Sequence, residues 1–112
     1  MSAQSPSRVD WITSNCRLLA ATAAEFRETK PFDGLSIGTA IHLEPKTAAL
    51  LTTLKAGGAH VIATGNLNST QPATVEWLKV QGIEAIGVAT TEEAAHERTL
   101  DAILAEQPDL LL

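Results

Sequence analysis

Hydrophobic positions along the chain follow two rhythms. Near the start, Val9, Ile12, Cys16, Leu19, Ala23 and Phe26 recur at intervals of three and four, the period of one helix face. Ser5 and Pro6 suit a cap and a first turn, while "ETKPFDG", with Pro31 and Gly34, punctuates the other end. The pattern predicts one amphipathic helix and a linker over residues 1–34. From Leu35 onward the rhythm changes to short apolar stretches, "LSIGTAI", "AHVIATG", "IEAIGVA" and "DLLL", each separated from the next by a polar loop and a helical segment. Their centres, near Ile37, Ile62, Ile86 and Leu110, lie 25, 24 and 24 residues apart. The segments between them carry Leu50, Leu51 and Leu54, then Val75 and Leu78, then His96, Leu100, Ile103 and Leu104. Thr90 with Glu93 fits a capping box for the last of these helices.

Strands alternating with helices at this pitch require crossover connections, which are right-handed and cover both faces of a parallel sheet. The expected fold is therefore α/β: a Rossmann-like three-layer domain with a parallel sheet of four or more strands, helices on both faces, and the amino-terminal helix in front. Residues 35–112 form the repeated units of a single domain spanning 1–112. The final "PDLLL" reads as a buried, central or near-central strand left midway. A carboxylate is costly to bury there, so the strand either continues in a longer protein or keeps its end exposed.

A chain of 112 residues falls in the range of one compact domain, and its 45% hydrophobic and 19% charged content is that of a soluble protein. Eight Lys and Arg against thirteen Asp and Glu give a net charge of -5, which disfavours nucleic acid or an anionic membrane as partner. Cys16 is alone, so no intrachain disulfide forms, and "MSAQSPSRVD" lacks the apolar core of a signal peptide. A cytoplasmic location is expected. The apolar runs fall short of the roughly 20 residues that span a bilayer.

In an open parallel sheet, ligands bind beyond the carboxyl ends of the strands. Those ends are "AIHLEPKT", "ATGNLNSTQ" and "VATTEE". His42 leaves the first strand where an imidazole can exchange protons near neutral pH, or can equally be a histidine satisfied by a backbone carbonyl. Glu44 and Lys46 stand beside it, although Glu44 before Pro45 also suits the start of a helix. The loop "TGNLNSTQP" precedes a helix whose N-H groups can hold a polar ligand; its plainer reading is a turn capped by Ser69 or Thr70. "ATGNLNST" also resembles the phosphate loop of flavodoxins, but the chain has no Tyr, and Trp11 and Trp77 lie away from the strand ends. His60 and His96 have no spaced ligand cluster around them, so no metal is expected. No G-x-G-x-x-G occurs, Ser69 lacks a base at recognisable spacing, and Cys16 on the helix stripe is a core residue by expectation.

The segments "KPFDG", "HLEPKTA", "LKAGGAHV", "STQ" and "PDLLL" follow one another in the order found in one family. Over residues 8–112 the chain resembles the amino-terminal, substrate-binding part of S-adenosyl-L-homocysteine hydrolase. That resemblance implies the reversible hydrolysis of S-adenosylhomocysteine to adenosine and homocysteine, with NAD oxidising the ribose 3'-hydroxyl in the full-length enzyme. It implies His42 as the catalytic residue acting near C5', and Glu44 and Lys46 beside the purine. Thr47 joins them as substrate-binding, with Asn68, Ser69, Thr70 and Gln71 in the loop lining the cleft. Many members carry Thr at the position of Glu44 and Glu or Gln at that of Lys46; the form here resembles that of archaeal and some bacterial members. An ammonium donates to a 6-oxo group, whereas a carboxylate accepts from a 6-amino group, so Lys46 suits an inosine moiety.

The NAD-binding part of the family lies outside these residues, so the chain alone is expected to bind no NAD and to be inactive. The partner expected is a small nucleoside substrate. A homo-oligomer through the first helix is the alternative to that helix packing on the chain's own sheet, which is the favoured reading. Two further readings stay open: a non-catalytic nucleoside-binding or oligomerising module, and a domain whose polar strand ends only cap helices. The particular residues of "HLEPKTA" and "STQ" weigh against the last, since a fold does not require them.

Overall fold

The computed structural model describes residues 8–66 and 69–112. Two helices, α1 (Arg8–Asn15) and α2 (Arg17–Thr29), precede an alternation of β1 (Ser36–Ala40), α3 (Pro45–Ala56), β2 (His60–Thr64), α4 (Pro72–Val80), β3 (Glu84–Ala85), α5 (Glu93–Ala105) and β4 (Leu110–Leu111). Each strand is entered through a residue in the left-handed region: Gly34 at φ 79°, Gly58 at 95°, Gly82 at 81° and Gln107 at 51°. The predicted repeat is thus a repeat of turn geometry as well as of hydrophobicity. At Gly58 the requirement is double, because a Cβ there would also lie 2.9 Å from Asp33 Cα.

The four strands are parallel in the order β3-β2-β1-β4. β1 and β2 pair from Ser36 with His60 to Ala40 with Thr64, and β4 lies beside Ile37 and Gly38. The chain steps from β1 through β2 to β3 in one direction, then returns to the other side of β1. Right-handed crossovers therefore set α3 and α4 on one face and α5 on the other. Ile37, Val61 and Ala63 face Ala48, Leu51, Val75 and Leu78 in the main core. On the opposite face Gly38 leaves room for α5: a Cβ on it would meet Ile103 Cγ2 at 2.8 Å.

The structure changes three expectations. The single amphipathic helix is two, separated at Cys16, whose ψ of 75° is not helical. Polar side chains just before the break compete for the carbonyls of the preceding turn: Thr13 Oγ1 donates to Val9 at 2.8 Å, Ser14 Oγ to Trp11 at 3.0 Å, and Asn15 Nδ2 to Trp11 at 2.7 Å. Ser5 and Pro6, read as its cap, lie outside the described residues. The pair packs on α3 rather than on the sheet, so Val9 and Ala23 are buried while Cys16 is only half-buried. Trp77 Nε1 donates to Asp10 Oδ1 at 2.8 Å and ties α1 to α4. At the far end, β4 lies at the sheet edge with Leu110, Leu111 and Leu112 exposed, not in the centre as "PDLLL" suggests. Among the described residues no helix is long and apolar enough to cross a membrane.

Candidate functional site

The strand order reverses beside β1. Its neighbours β2 and β4 lead the chain away on opposite sides, and the β1–β4 ladder extends to Ala40, whose N-H donates to Leu112 O at 2.8 Å. Connections diverge from that point, and it is at such carboxyl ends that open α/β sheets take ligands. Two residues beyond β1, His42 stands exposed at this place. The sequence reading put it there, and the fold adds that its strand is the one at the reversal.

Glu44 has a definite local task. It is the N-cap of α3, with extended backbone at φ -133° and ψ 170°, and its Oε1 accepts from Thr47 N at 3.1 Å and from Thr47 Oγ1 at 3.5 Å. Pro45 follows at the first helical position, where its missing N-H costs nothing. Glu44 and Thr47 are therefore partners of each other, both half-buried, whereas Lys46 is exposed between them.

The second loop arrives through the backbone. Gln71 N donates to Leu43 O at 3.0 Å, which joins "HLEPKT" to "STQ" across the ends of β1 and β2. Ser69 N and Ser69 Oγ both donate to Asn66 O at 3.3 Å, and Thr70 Oγ1 donates to the same carbonyl at 3.4 Å. These bonds fold the loop back on itself. Neither Ser69 nor Thr70 caps α4; Gln71 is the N-cap and makes no side-chain cap bond, with Pro72 next to it. Thr70 is buried, Ser69 half-buried and Gln71 exposed, while Asn68 lies outside the described residues. A cleft beyond β2 and β3 is lined by Thr70, Ala89, Thr90, Thr91 and Glu92. The capping box expected there does not form: Glu92 is the N-cap of α5, and Thr90 Oγ1 accepts from Glu92 N at 3.0 Å in a local turn.

The residue that the sequence reading passed over is Leu43. It is completely buried between exposed His42 and half-buried Glu44, and it reaches the glycines that follow β2 and β3. A Cβ on Gly87 would lie 2.7 Å from Leu43 Cδ1, and one on Gly65 would lie 3.4 Å from Leu43 Cγ. The available signals were an apolar residue inside a polar junction and a glycine beyond each of the next two strands.

His60 and His96 stand apart from this site, His60 at the start of β2 with Nε2 3.6 Å from Glu84 Oε2, and His96 on α5. The described residues do not fit a dinucleotide at the first strand-to-helix turn. That turn has no glycine, Pro45 removes an N-H, and the Glu44 carboxylate occupies the helix N-terminus that would otherwise face a pyrophosphate.

Comparison with known proteins agrees with the order of motifs. A family profile described as S-adenosyl-L-homocysteine hydrolase matches residues 9–112. An adenosylhomocysteinase of Thermotoga maritima is 37% identical over 106 residues, which are 94% of this chain and 26% of that protein. An S-inosyl-L-homocysteine hydrolase of Methanopyrus kandleri is 32% identical over 105 residues, 93% of this chain and 25% of that protein. For an adenosylhomocysteinase of Pyrococcus abyssi the values are 35% over 106 residues, 94% and 25%. The chain spans about a quarter of the length of these relatives.

Proposed function

The chain belongs to the S-adenosyl-L-homocysteine hydrolase family, and from that premise we propose that it forms the nucleoside-binding face of such a hydrolase, acting on the thioether of a nucleosyl-homocysteine. The observation that carries this reading is the position of His42, exposed beyond β1 where the strand order reverses, with the "STQ" loop bonded to its neighbour Leu43. In this reading His42 moves protons near C5', Lys46 and Glu44 approach the purine, and Thr47, Asn68, Ser69, Thr70 and Gln71 line the cleft. One compact domain, 1–112, carries the site. NAD is supplied by parts of the family's proteins outside these residues, because the first strand-to-helix turn here is filled by the Glu44 cap. By itself the chain binds nucleoside without turning it over. The work of the parent hydrolase is cytoplasmic.

The purine follows from the partition of the two charges. Glu44 already accepts from Thr47, whereas Lys46 is exposed with its donors available, and an ammonium matches a 6-oxo purine better than a 6-amino one. We therefore infer a preference for the inosine moiety. Relatives named for both S-adenosyl and S-inosyl substrates match at similar identity, so the comparisons do not choose between the two purines.

Calorimetric titration of adenosine and of inosine into the purified chain tests both statements. Binding that is lost in His42→Ala supports the site, and a preference for inosine that disappears in Lys46→Met supports the purine assignment. Equal or tighter binding of adenosine rejects the inosine preference. A folded chain that binds neither nucleoside counts against a preformed site, and favours a role as an interaction module derived from the same domain.

A further inference from the structure

Three strand-end connections converge on one residue, two through its side chain and one through its backbone. Leu43 belongs to the first, receives the Gln71 N-H and lies against Gly65 in the second, and fits against Gly87 in the third. Its contact with Gly87 is closer than any side chain at position 87 would permit. A Cβ there would sit 2.7 Å from Leu43 Cδ1, 3.0 Å from Gly65 N and 3.4 Å from Thr64 Cα. Gly65 is equally constrained, since a Cβ on it would fall onto the Thr70 hydroxyl and 3.4 Å from Leu43 Cγ. Two glycines at the ends of adjacent strands thus leave a notch one leucine wide, and Leu43 fills it with no exposed surface.

We propose that Leu43 is the positioning residue of this site: seated in the notch of Gly65 and Gly87, it sets where His42 stands over the sheet and where Gln71 meets the ligand. This rests on reading His42 as the acting group. The physical basis is the lack of any other anchor of comparable kind in the junction. His42 is exposed and Lys46 is exposed, and the Glu44 side chain is bonded to Thr47 within its own helix. Of the residues between β1 and α3, Leu43 alone is fully buried, so the backbone on either side of it inherits its position. Through the Gln71–Leu43 bond, a displacement of that leucine also reaches the second loop. A site held this way depends on packing behind it, because a small shift of the supporting group misaims the group in front.

The test uses Gly87→Ala, 44 positions along the chain from Leu43, on the 112-residue chain. The added methyl pushes on Leu43 Cδ1 and, less closely, on the Gly65 backbone N. The His42 ring signals in the ligand-free chain should then shift, and adenosine or inosine affinity should fall by roughly tenfold, as for loss of a contact supporting a ligand-binding residue. The double variant Gly87→Ala/Leu43→Val should regain part of both, because valine lacks the clashing Cδ1. Losses that simply add in the double variant, or His42 signals that ignore Gly87→Ala, overturn the proposal. If Gly87→Ala does not fold, Leu43→Val alone serves, compared with Leu78→Val, an equally buried leucine on α4. A His42 response to the first no larger than to the second overturns it as well. A wild-type chain that binds no nucleoside defeats the proposed function, while the ring signals still decide the positioning role.

Discussion

Glu44 shows how one side chain can be claimed by two roles. Its charge next to His42 invites a ligand-binding reading, yet its carboxylate is engaged 3.1 Å from Thr47 N at the start of α3. Removing the side chain leaves an N-H of the first helical turn without an acceptor. Glu44→Ala should therefore lower stability by about 0.5–1 kcal/mol, seen as a lower urea midpoint at unchanged slope. No change in midpoint would free Glu44 from the capping role. The position of Glu44 as a cap was legible from "LEPKT", because a cap and a first-turn proline are local in sequence. The seat of Leu43 was not legible, because the glycines that receive it come from two other strands.

At the scale of elements, the residue after the helix C-cap turns left-handed three times, at Gly58 and Gly82 with glycine and at Gln107 without it. A side chain at φ 51° carries a steric cost that glycine avoids, about 1 kcal/mol per residue. Gln107→Gly should raise the thermal midpoint slightly, with a net gain of up to about 0.5 kcal/mol once glycine's greater unfolded-state freedom is subtracted. A lower midpoint would show that the Gln107 side chain contributes more than its backbone costs. The strand-helix alternation was readable because the apolar stretches near Ile37, Ile62, Ile86 and Leu110 recur every 24 or 25 residues. The division of the first helix at Cys16 was missed, since the apolar stripe runs through it unbroken while Thr13, Ser14 and Asn15 turn their side chains back to the chain. Likewise Thr90 and Glu93 have the spacing of a capping box, but the helix begins two positions too late to use it.

For the whole molecule, topology brings the pieces of the proposed site to one end of the sheet and also limits what that end can bind. The reversal of strand order beside β1 gathers His42, Lys46 and the "STQ" loop at one end of the sheet, whereas the helix N-terminus that would take a dinucleotide is capped by Glu44. With S-adenosylhomocysteine or S-inosylhomocysteine and NAD, the purified 112-residue chain should release no nucleoside above the protein-free control, measured by chromatography. NAD-dependent release would reject the proposed division of labour between this domain and the rest of the family's proteins. The sequence by itself determined the α/β class, the rhythm of strands and helices, the strand-end location of His42 and the family, because these depend on periodicity and on motifs contiguous along the chain. Only the tertiary structure decided that α1 and α2 lie on α3, that β4 stands at the edge, and that Leu43 closes a notch between Gly65 and Gly87. Those outcomes arise from close packing between residues tens of positions apart, which no local pattern encodes.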